Sequence, residues 1–332
     1  MKILVTGGLG FIGSNFCRYA IKAHPDTQVT NVDKIGVGAN PSNLKDIEKE
    51  KQYRFVKGDT RDPKLLESLV KEAGAVVNFA AETHVDRSIA DPNEFMQNNT
   101  LGTFTVLEAI RRHNSKARLV QVSTDEVYGE IPEGSFNEND APKPSNPYSA
   151  SKAAADMFVH AYCKTYKLNA SITRCTNNYG PYQHPEKLVP KTIIRALKNL
   201  KIPVYGTGMN IRDWIYVQDH CEAIDLVLTK GQPGQTYNVA AGNEVSNLEI
   251  VRKILSQLGK DQDLITFVED RPGHDVRYSL DSSRIRSELG WKPKRSFEEA
   301  LKDTIDWYVR NESWWKTLAT EQILSATPWK KK

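Results

Sequence analysis

Thr6-Gly7-Gly8-Leu9-Gly10-Phe11-Ile12-Gly13 decides the reading of this chain. The apolar run Ile3-Leu4-Val5 precedes it, and a helix-like stretch from Gly13 to Ala23 follows. Three of the glycines have separate tasks. Gly7 permits the tight turn, Gly10 lets the backbone approach a pyrophosphate, and Gly13 allows close helix–strand packing. Phe11 and Ile12 open a helix whose free N–H groups face the anion. Asp33 ends the next predicted strand, Val29 to Val32, about twenty residues on, where this fingerprint needs an acid. A carboxylate there accepts from both ribose hydroxyls and repels a 2′-phosphate, which favours NAD over NADP as cofactor.

Outward from this motif, short apolar runs alternate with helical stretches. Strands are expected at Arg54 to Val56, Ala75 to Ala80, Arg118 to Ser123 and Ser171 to Arg174. Helices are expected at Pro63 to Glu72, capped by Asp62, at Asn98 to Arg112 and at Tyr148 to Tyr166. Apolar, unalternating strands between helices predict a parallel sheet covered on both faces, an α/β doubly wound Rossmann fold. After Gly180 the texture changes, and prolines and glycines punctuate shorter elements. A chain of 332 residues suits a nucleotide-binding domain over 1–177 and a smaller α+β substrate lobe over 178–332. Segments near 213–228 and 236–240 are expected to return to the main domain.

Lys plus Arg number 45 against 41 for Asp plus Glu, and they are interspersed, so no basic face is built for nucleic acid. The only basic run, Lys330-Lys331-Lys332, reads as a solvated tail. Cys17, Cys163, Cys175 and Cys221 lie far apart without a CxxC pair, which fits neither a zinc site nor a disulfide framework. No metal is expected, and the reducing cytoplasm is the expected compartment. The N-terminal apolar run is too short for a signal-peptide core, and no stretch approaches membrane-spanning length.

Tyr148 and Lys152 are four residues apart, on one face of the expected helix. An ammonium beside a phenol lowers its pKa, and such a phenol takes a proton from a hydroxyl as hydride leaves the adjacent carbon. Ser123-Thr124-Asp125-Glu126 follows a strand, so it sits at the carboxyl end of the sheet, where ligands bind. Thr124 can donate to the same hydroxyl. Asp125 and Glu126 are adjacent carboxyls, and two carboxyls with separated pKa values can act as acid and base on one substrate. On the cofactor side, Gly58-Asp59 after the third strand fits an adenine contact. Ala80 and Ala81 leave room for the cofactor backbone, and Asn99 opens a helix beside it.

These residues, with Ala80 to Ser88, Arg174 to Tyr182, Pro185 to Leu188, Arg212-Asp213-Trp214 and Arg271 to Asp275, make the chain resemble the extended short-chain dehydrogenase/reductase family over essentially its whole length. Within that family the nucleotide-sugar 4,6-dehydratases acting on dTDP-glucose are most similar. The resemblance implies NAD-dependent removal of water from a nucleoside-diphospho-glucose. Tyr148 accepts the 4-hydroxyl proton with help from Lys152 and Thr124. Glu126 removes the carbon-5 proton, Asp125 protonates the departing 6-hydroxyl, and hydride returns at carbon 6. It further implies cofactor contacts from Lys34, Thr60 and Asn178. Substrate contacts are implied for His84, Asn177, Lys187, Leu188, Pro203, Tyr205, Arg212, Asn247, Arg271 and His274. A homodimer, through the helices starting near Asn98 and Tyr148, is implied as well.

Three places depart from the family pattern: Lys34 to Asn40, Thr83 for a common serine, and Val276 for a common second arginine. The last lies near the nucleotide, so dTDP and UDP both stand. Two other functions compete with dehydration. A 4-epimerase would keep Tyr148 and Lys152 but lack the Asp125-Glu126 pair. A non-catalytic binding protein would have lost one of the four.

Overall fold

Runs such as Ile3-Leu4-Val5 and Ala75-Val76-Val77 carry no polar alternation, so as strands they need cover on both faces. The computed structural model describes residues 1–330 and gives them that cover; Lys331 and Lys332, the end of the basic run, lie outside the described residues. In chain order the strands are β1 (Lys2–Thr6), β2 (Gln28–Asp33), β3 (Tyr53–Lys57), β4 (Ala75–Asn78), β5 (Arg118–Thr124), β6 (Ala170–Cys175), β7 (Asn177–Tyr179), β8 (Ile202–Tyr205), β9 (Ile211–Tyr216), β10 (Thr236–Val239), β11 (Glu244–Ser246) and β12 (Ile265–Val268). The main sheet has seven strands in the order β10-β6-β5-β4-β1-β2-β3, all parallel. It is the doubly wound Rossmann sheet that the alternation predicts.

One face is covered by the helices Phe11–Ala23 and Val217–Lys230, which bury Phe16, Ala20 and Ile224 against Val29 and Val77. The other is covered by Pro63–Val70, Gly102–His113 and Pro147–Tyr166, through Leu66, Val106, Ile110 and Val159. Asp62 caps the first of these, accepting from the N–H groups of Lys64 and Leu65. β1 lies between β2 and β4, so successive strands step away from it in both directions. Such a reversal opens a crevice at the carboxyl ends of the two central strands.

The helix expected over Asn98 to Arg112 begins differently. Met96–Leu101 is a π-turn, and α-helix follows only at Gly102–His113. The wider turn accommodates two buried asparagines: Asn98 returns to the Glu94 carbonyl, and Asn99 grips the Glu82 backbone. π-turns of this kind concentrate at functional sites.

The smaller lobe holds a three-stranded sheet, β11-β9-β7, and a parallel pair, β12-β8. The helices Leu188–Leu197, Asn247–Gln257 and Phe297–Arg310 pack there around Tyr179, Ile193, Trp214, Ile250 and Tyr308. Residues 213–216 belong to β9 in this lobe, while the helix that begins at Val217 packs on Phe11–Ala23 in the main body. β10 joins the main sheet beside β6, pairing Thr236 with Ile172. Among the described residues no helix is long and apolar enough to cross a membrane.

Candidate active site

The glycine turn lies in the crevice between β1 and β4. Gly7 takes φ +70°, and a Cβ there would stand 2.7 Å from the Ala80 nitrogen. A Cβ at Gly13 would stand 2.4 Å from the Gly7 carbonyl oxygen. At Gly10 a Cβ would meet only that oxygen, at 3.2 Å, so its other side is bare. Gly10 is also the N-cap of Phe11–Ala23 and offers no side-chain cap, which leaves the first N–H groups of the helix for an anion. Gly7 and Gly13 thus carry the turn and the close packing read from the sequence, and Gly10 leaves the backbone open.

A cleft of about 280 Å³ runs from this turn to the Tyr148 region. Gly7, Gly10, Phe11, Ile12, Gly13, Asp33, Lys34, Thr60, Ala80, Ala81 and Asn178 line it. The buried Asp33 carboxylate accepts from the N–H groups of Leu9 and Ile35, at 3.0 and 2.8 Å, which aims it along the cleft wall. Lys34 is held by Asn98 and Glu82. A bare glycine cradle, an open helix N-terminus and a buried acid at the end of β2 fit NAD.

Two cofactor candidates lie elsewhere. Asp59 is outside the lining, and Arg61 takes both of its oxygens, because the two side chains meet across one turn of chain. Its neighbours Gly58 and Thr60 face the cleft instead. Asn99 spends its amide on the Glu82 N–H, the Glu82 carbonyl and the Ser151 hydroxyl, so it fixes the loop that walls the cleft and does not line it.

The catalytic candidates converge at the other end. β5 runs into a 3₁₀ turn, Asp125–Tyr128, which Thr124 caps by accepting from the Glu126 N–H. Asn146 and Ser149 form a capping box around Pro147, so the next helix starts with Tyr148 at its second position. Thr124, Asp125, Glu126, Tyr148 and Lys152 all line the cleft. Asp125 Oδ2 and Glu126 Oε2 are buried without a partner. Burial pushes the Asp125 carboxyl up to about 8, and the neighbouring Glu126 charge adds to the rise. Burial also raises Glu126, but the cations Arg271, Arg212 and Lys187 oppose that rise.

Lys152 is buried and donates to the Val122 carbonyl at 2.7 Å. Burial lowers its pKa, against the pull of Asp156 one turn on. Burial acts on the Tyr148 phenol as well. Burial, followed by the Glu126 charge, lifts that phenol well above its ordinary value, with only Thr124 acting to lower it. The Lys152 ammonium is turned toward a backbone oxygen.

The substrate candidates divide into two groups. Asn177 and Lys187 line the cleft, with Lys187 Nζ on the Thr83 carbonyl at 2.7 Å. Leu188 does not; it starts the helix Leu188–Leu197 and packs into the core of the smaller lobe. His84, Pro203, Tyr205, Arg212, Asn247, Arg271 and His274 lie outside the lining. Tyr205 and Arg271 share Asp86, at 3.1 and 2.9 Å. Arg212 donates to the Asp275 carbonyl at 2.8 Å and lies 4.2 Å from the centre of the Tyr278 ring. His274 bonds Asp270, and burial holds it down to about 4, as it does His84. Asn247 only starts a helix, with its N–H on the Asn210 carbonyl.

Further lining residues carry polar groups that the sequence did not single out. Glu82, Arg87, His184 and Glu186 form a polar network, half-buried at Glu82 and Arg87 and buried at His184 and Glu186, with Arg87 bridging Glu82 and Glu186. For Glu82 and Arg87 the signal was a dense charged run, Glu82 to Arg87, immediately after a strand end.

The family model described as GDP-mannose 4,6-dehydratase matches residues 4–304. A dTDP-glucose 4,6-dehydratase of Streptomyces niveus is 46% identical, over 99% of this chain and 98% of that one. A low-salt glycan biosynthesis protein of Haloferax volcanii is 49% identical, over 94% of this chain and 100% of its own. The crystal structure of DesIV, a dTDP-glucose 4,6-dehydratase of Streptomyces venezuelae solved with NAD bound, superposes with a TM-score of 0.94 at 45% identity, covering 96% of this chain and 100% of that one. With the glycine cradle, the Tyr148-Lys152 pair and the two carboxyls in one cleft, the chain belongs to the nucleotide-sugar 4,6-dehydratase family of the extended short-chain dehydrogenase/reductases, alongside the dTDP-glucose 4,6-dehydratases.

Proposed function

We infer that this protein is an NAD-dependent hydro-lyase that converts dTDP-glucose to the 4-keto-6-deoxy sugar. One observation carries the reading: Asp125 and Glu126 each present a buried, unpartnered carboxyl oxygen in the cleft that holds Tyr148. A 4-epimerase needs neither.

Tyr148 takes the proton of the sugar 4-hydroxyl, with Thr124 beside it to orient that hydroxyl. Tyr148 acts as the phenolate, a form that burial and the Glu126 charge oppose and that the Thr124 hydrogen bond and the positive end of the helix favour. NAD, which the glycine cradle and Asp33 would hold, would supply the two-electron redox chemistry that oxidation at carbon 4 and reduction at carbon 6 need. The new ketone acidifies the proton on carbon 5, and Glu126 removes it; burial raises its pKa, and Arg271, Arg212 and Lys187 favour its charged form against that rise. Asp125, protonated at neutral pH, gives its proton to the 6-hydroxyl, which leaves as water. Glu126 then returns a proton to carbon 5. The proton gained by Tyr148 and the one lost by Asp125 balance, so the net change is loss of one water. A placed acid and a placed base each contribute about 10²–10⁴ in rate.

Proton NMR in deuterated buffer tests this with dTDP-glucose, and with UDP-glucose in parallel. A 6-methyl signal with deuterium at carbon 5 is expected, and Glu126→Gln should suppress both by about 10²–10⁴. Galactose signals without a methyl group would mean epimerisation instead.

The protein is proposed to work as a homodimer in the cytoplasm. Met157, Phe158 and Tyr166 on Pro147–Tyr166 and Met96 and Leu101 ahead of Gly102–His113 are exposed apolar side chains, and the two helices lie side by side. Four cysteines without a disulfide suit a reducing compartment.

A further inference from the structure

The family match stops at residue 304, yet the chain beyond it returns to the charged cluster beside the cleft. Two bonds from the helix Leu188–Leu197 fix its path: Arg195 donates to the Leu324 carbonyl at 2.6 Å and Lys191 to the Ser325 carbonyl at 3.3 Å. Leu324 is buried in the core of the smaller lobe. The turn Pro328–Lys330 then packs on the helix Val85–Ala90. It delivers Trp329, only 9% exposed, edge-on to Tyr205 with ring centres 4.7 Å apart and planes at 80°.

Tyr205 leads toward the chemistry. Its hydroxyl donates to Asp86 Oδ2 at 3.1 Å, and Arg271 Nη1 donates to Asp86 Oδ1 at 2.9 Å. Arg271 Nε has no partner and the side chain stays 16% exposed, so part of this guanidinium is unspent and reachable. A planar guanidinium with free N–H groups suits the oxygens of a diphosphate. Trp329 itself does not line the cleft.

We propose that Trp329 is a positioning residue for nucleotide-sugar binding: the C-terminal turn locks the Tyr205 ring, and through Asp86 it sets the Arg271 guanidinium for the substrate diphosphate. The proposal rests on the function inferred above. Without the indole edge Tyr205 gains rotamer freedom, its bond to Asp86 loses alignment, and Asp86 no longer holds Arg271 in one orientation.

The test compares Trp329→Ala, Trp329→Phe, Tyr205→Phe and the double variant Trp329→Ala/Tyr205→Phe. Steady-state kinetics with dTDP-glucose, calorimetric titration with dTDP and thermal melting are the readouts. Trp329→Ala should raise the KM and the dTDP Kd roughly two- to tenfold, the range of one aromatic contact. Its kcat should stay within about twofold, because the loss is in binding. Trp329→Phe restores an aromatic edge and should restore KM. In the Tyr205→Phe background Trp329→Ala should add little, since the link to Asp86 is already cut. An unchanged KM and Kd in Trp329→Ala overturns the proposal, whatever its melting temperature. So does a rise that Phe does not reverse, or one that adds in full to that of Tyr205→Phe. Failure of the native protein to turn over dTDP-glucose would sink the assigned function instead, while the dTDP Kd comparison would still decide the role of Trp329.

Discussion

The Asp125 carboxyl shows how burial makes an acid. Its pKa rises from 3.8 to about 8, first by desolvation and then by the Glu126 charge, so the group still holds its proton near neutrality. As the proton donor to the leaving hydroxyl it should sustain kcat at neutral pH and lose it as pH climbs through about 8, which a pH–rate profile reads directly. Stability follows the same sign. An unfolded aspartic acid gives up its proton near 3.8, so between there and about 8 the folded chain binds more protons, and this group lowers stability as pH rises. Asp125→Asn removes that penalty. Its melting temperature should exceed the native one by a margin that widens between about pH 5 and 8, while dehydration falls by about 10²–10⁴. A margin that does not grow with pH would refute the assignment. The sequence made Asp125, Glu126, Tyr148 and Lys152 legible because each is a side-chain type at a diagnostic spacing. It could not show that Lys152 turns to the Val122 carbonyl or Arg212 to the Asp275 carbonyl, because backbone acceptors carry no residue signature. Nor could it show the partners of Asn99, the Glu82 backbone and Ser151, for the same reason.

At the scale of elements, the glycine turn separates folding from binding. Gly13→Ala would force a Cβ to within 2.4 Å of the Gly7 carbonyl, where backbone must shift. Such overpacking costs about 1–3 kcal/mol, so thermal melting should show a clear loss even without cofactor. Gly10→Ala meets one protein atom at 3.2 Å and should melt near the native temperature. Its methyl instead stands where the backbone must approach the pyrophosphate, so the NAD Kd should rise about tenfold or more, ~1.4 kcal/mol, by calorimetric titration. Equal melting losses in both variants would remove the distinction. The strands of the main sheet could be read because burial on both faces leaves an unbroken apolar run. The short strands β7, β8, β11 and β12 carry no such pattern, since three or four residues give periodicity too little length to register. The π-turn at Met96–Leu101 was equally hidden, because it is set by the side chains that Asn98 and Asn99 must place, not by local propensity.

For the whole molecule, the exposed side chains of Met157 and Phe158, beside the Gly102–His113 helix, define a face that a second copy would cover. Sedimentation of the native protein should give twice the 37.4 kDa chain mass, and Met157→Glu should shift it to the single mass by placing a charge in the contact. A native protein that sediments at the single mass would end the dimer proposal. The order of the main sheet has another outcome, in time. Six of its strands are complete by Cys175, but the seventh, β10, is built from residues 236–239. Until the ribosome has made and released that later segment, the nascent chain carries β6 with its outer edge unpaired, an open template for another strand. Some sixty residues, first strands of the smaller lobe and then the helix Val217–Lys230 of the main body, must be synthesised before the edge is sealed, so the larger unit cannot finish folding vectorially ahead of its neighbour. The two units therefore mature together, and the main sheet is sealed only after the chain has passed Val239.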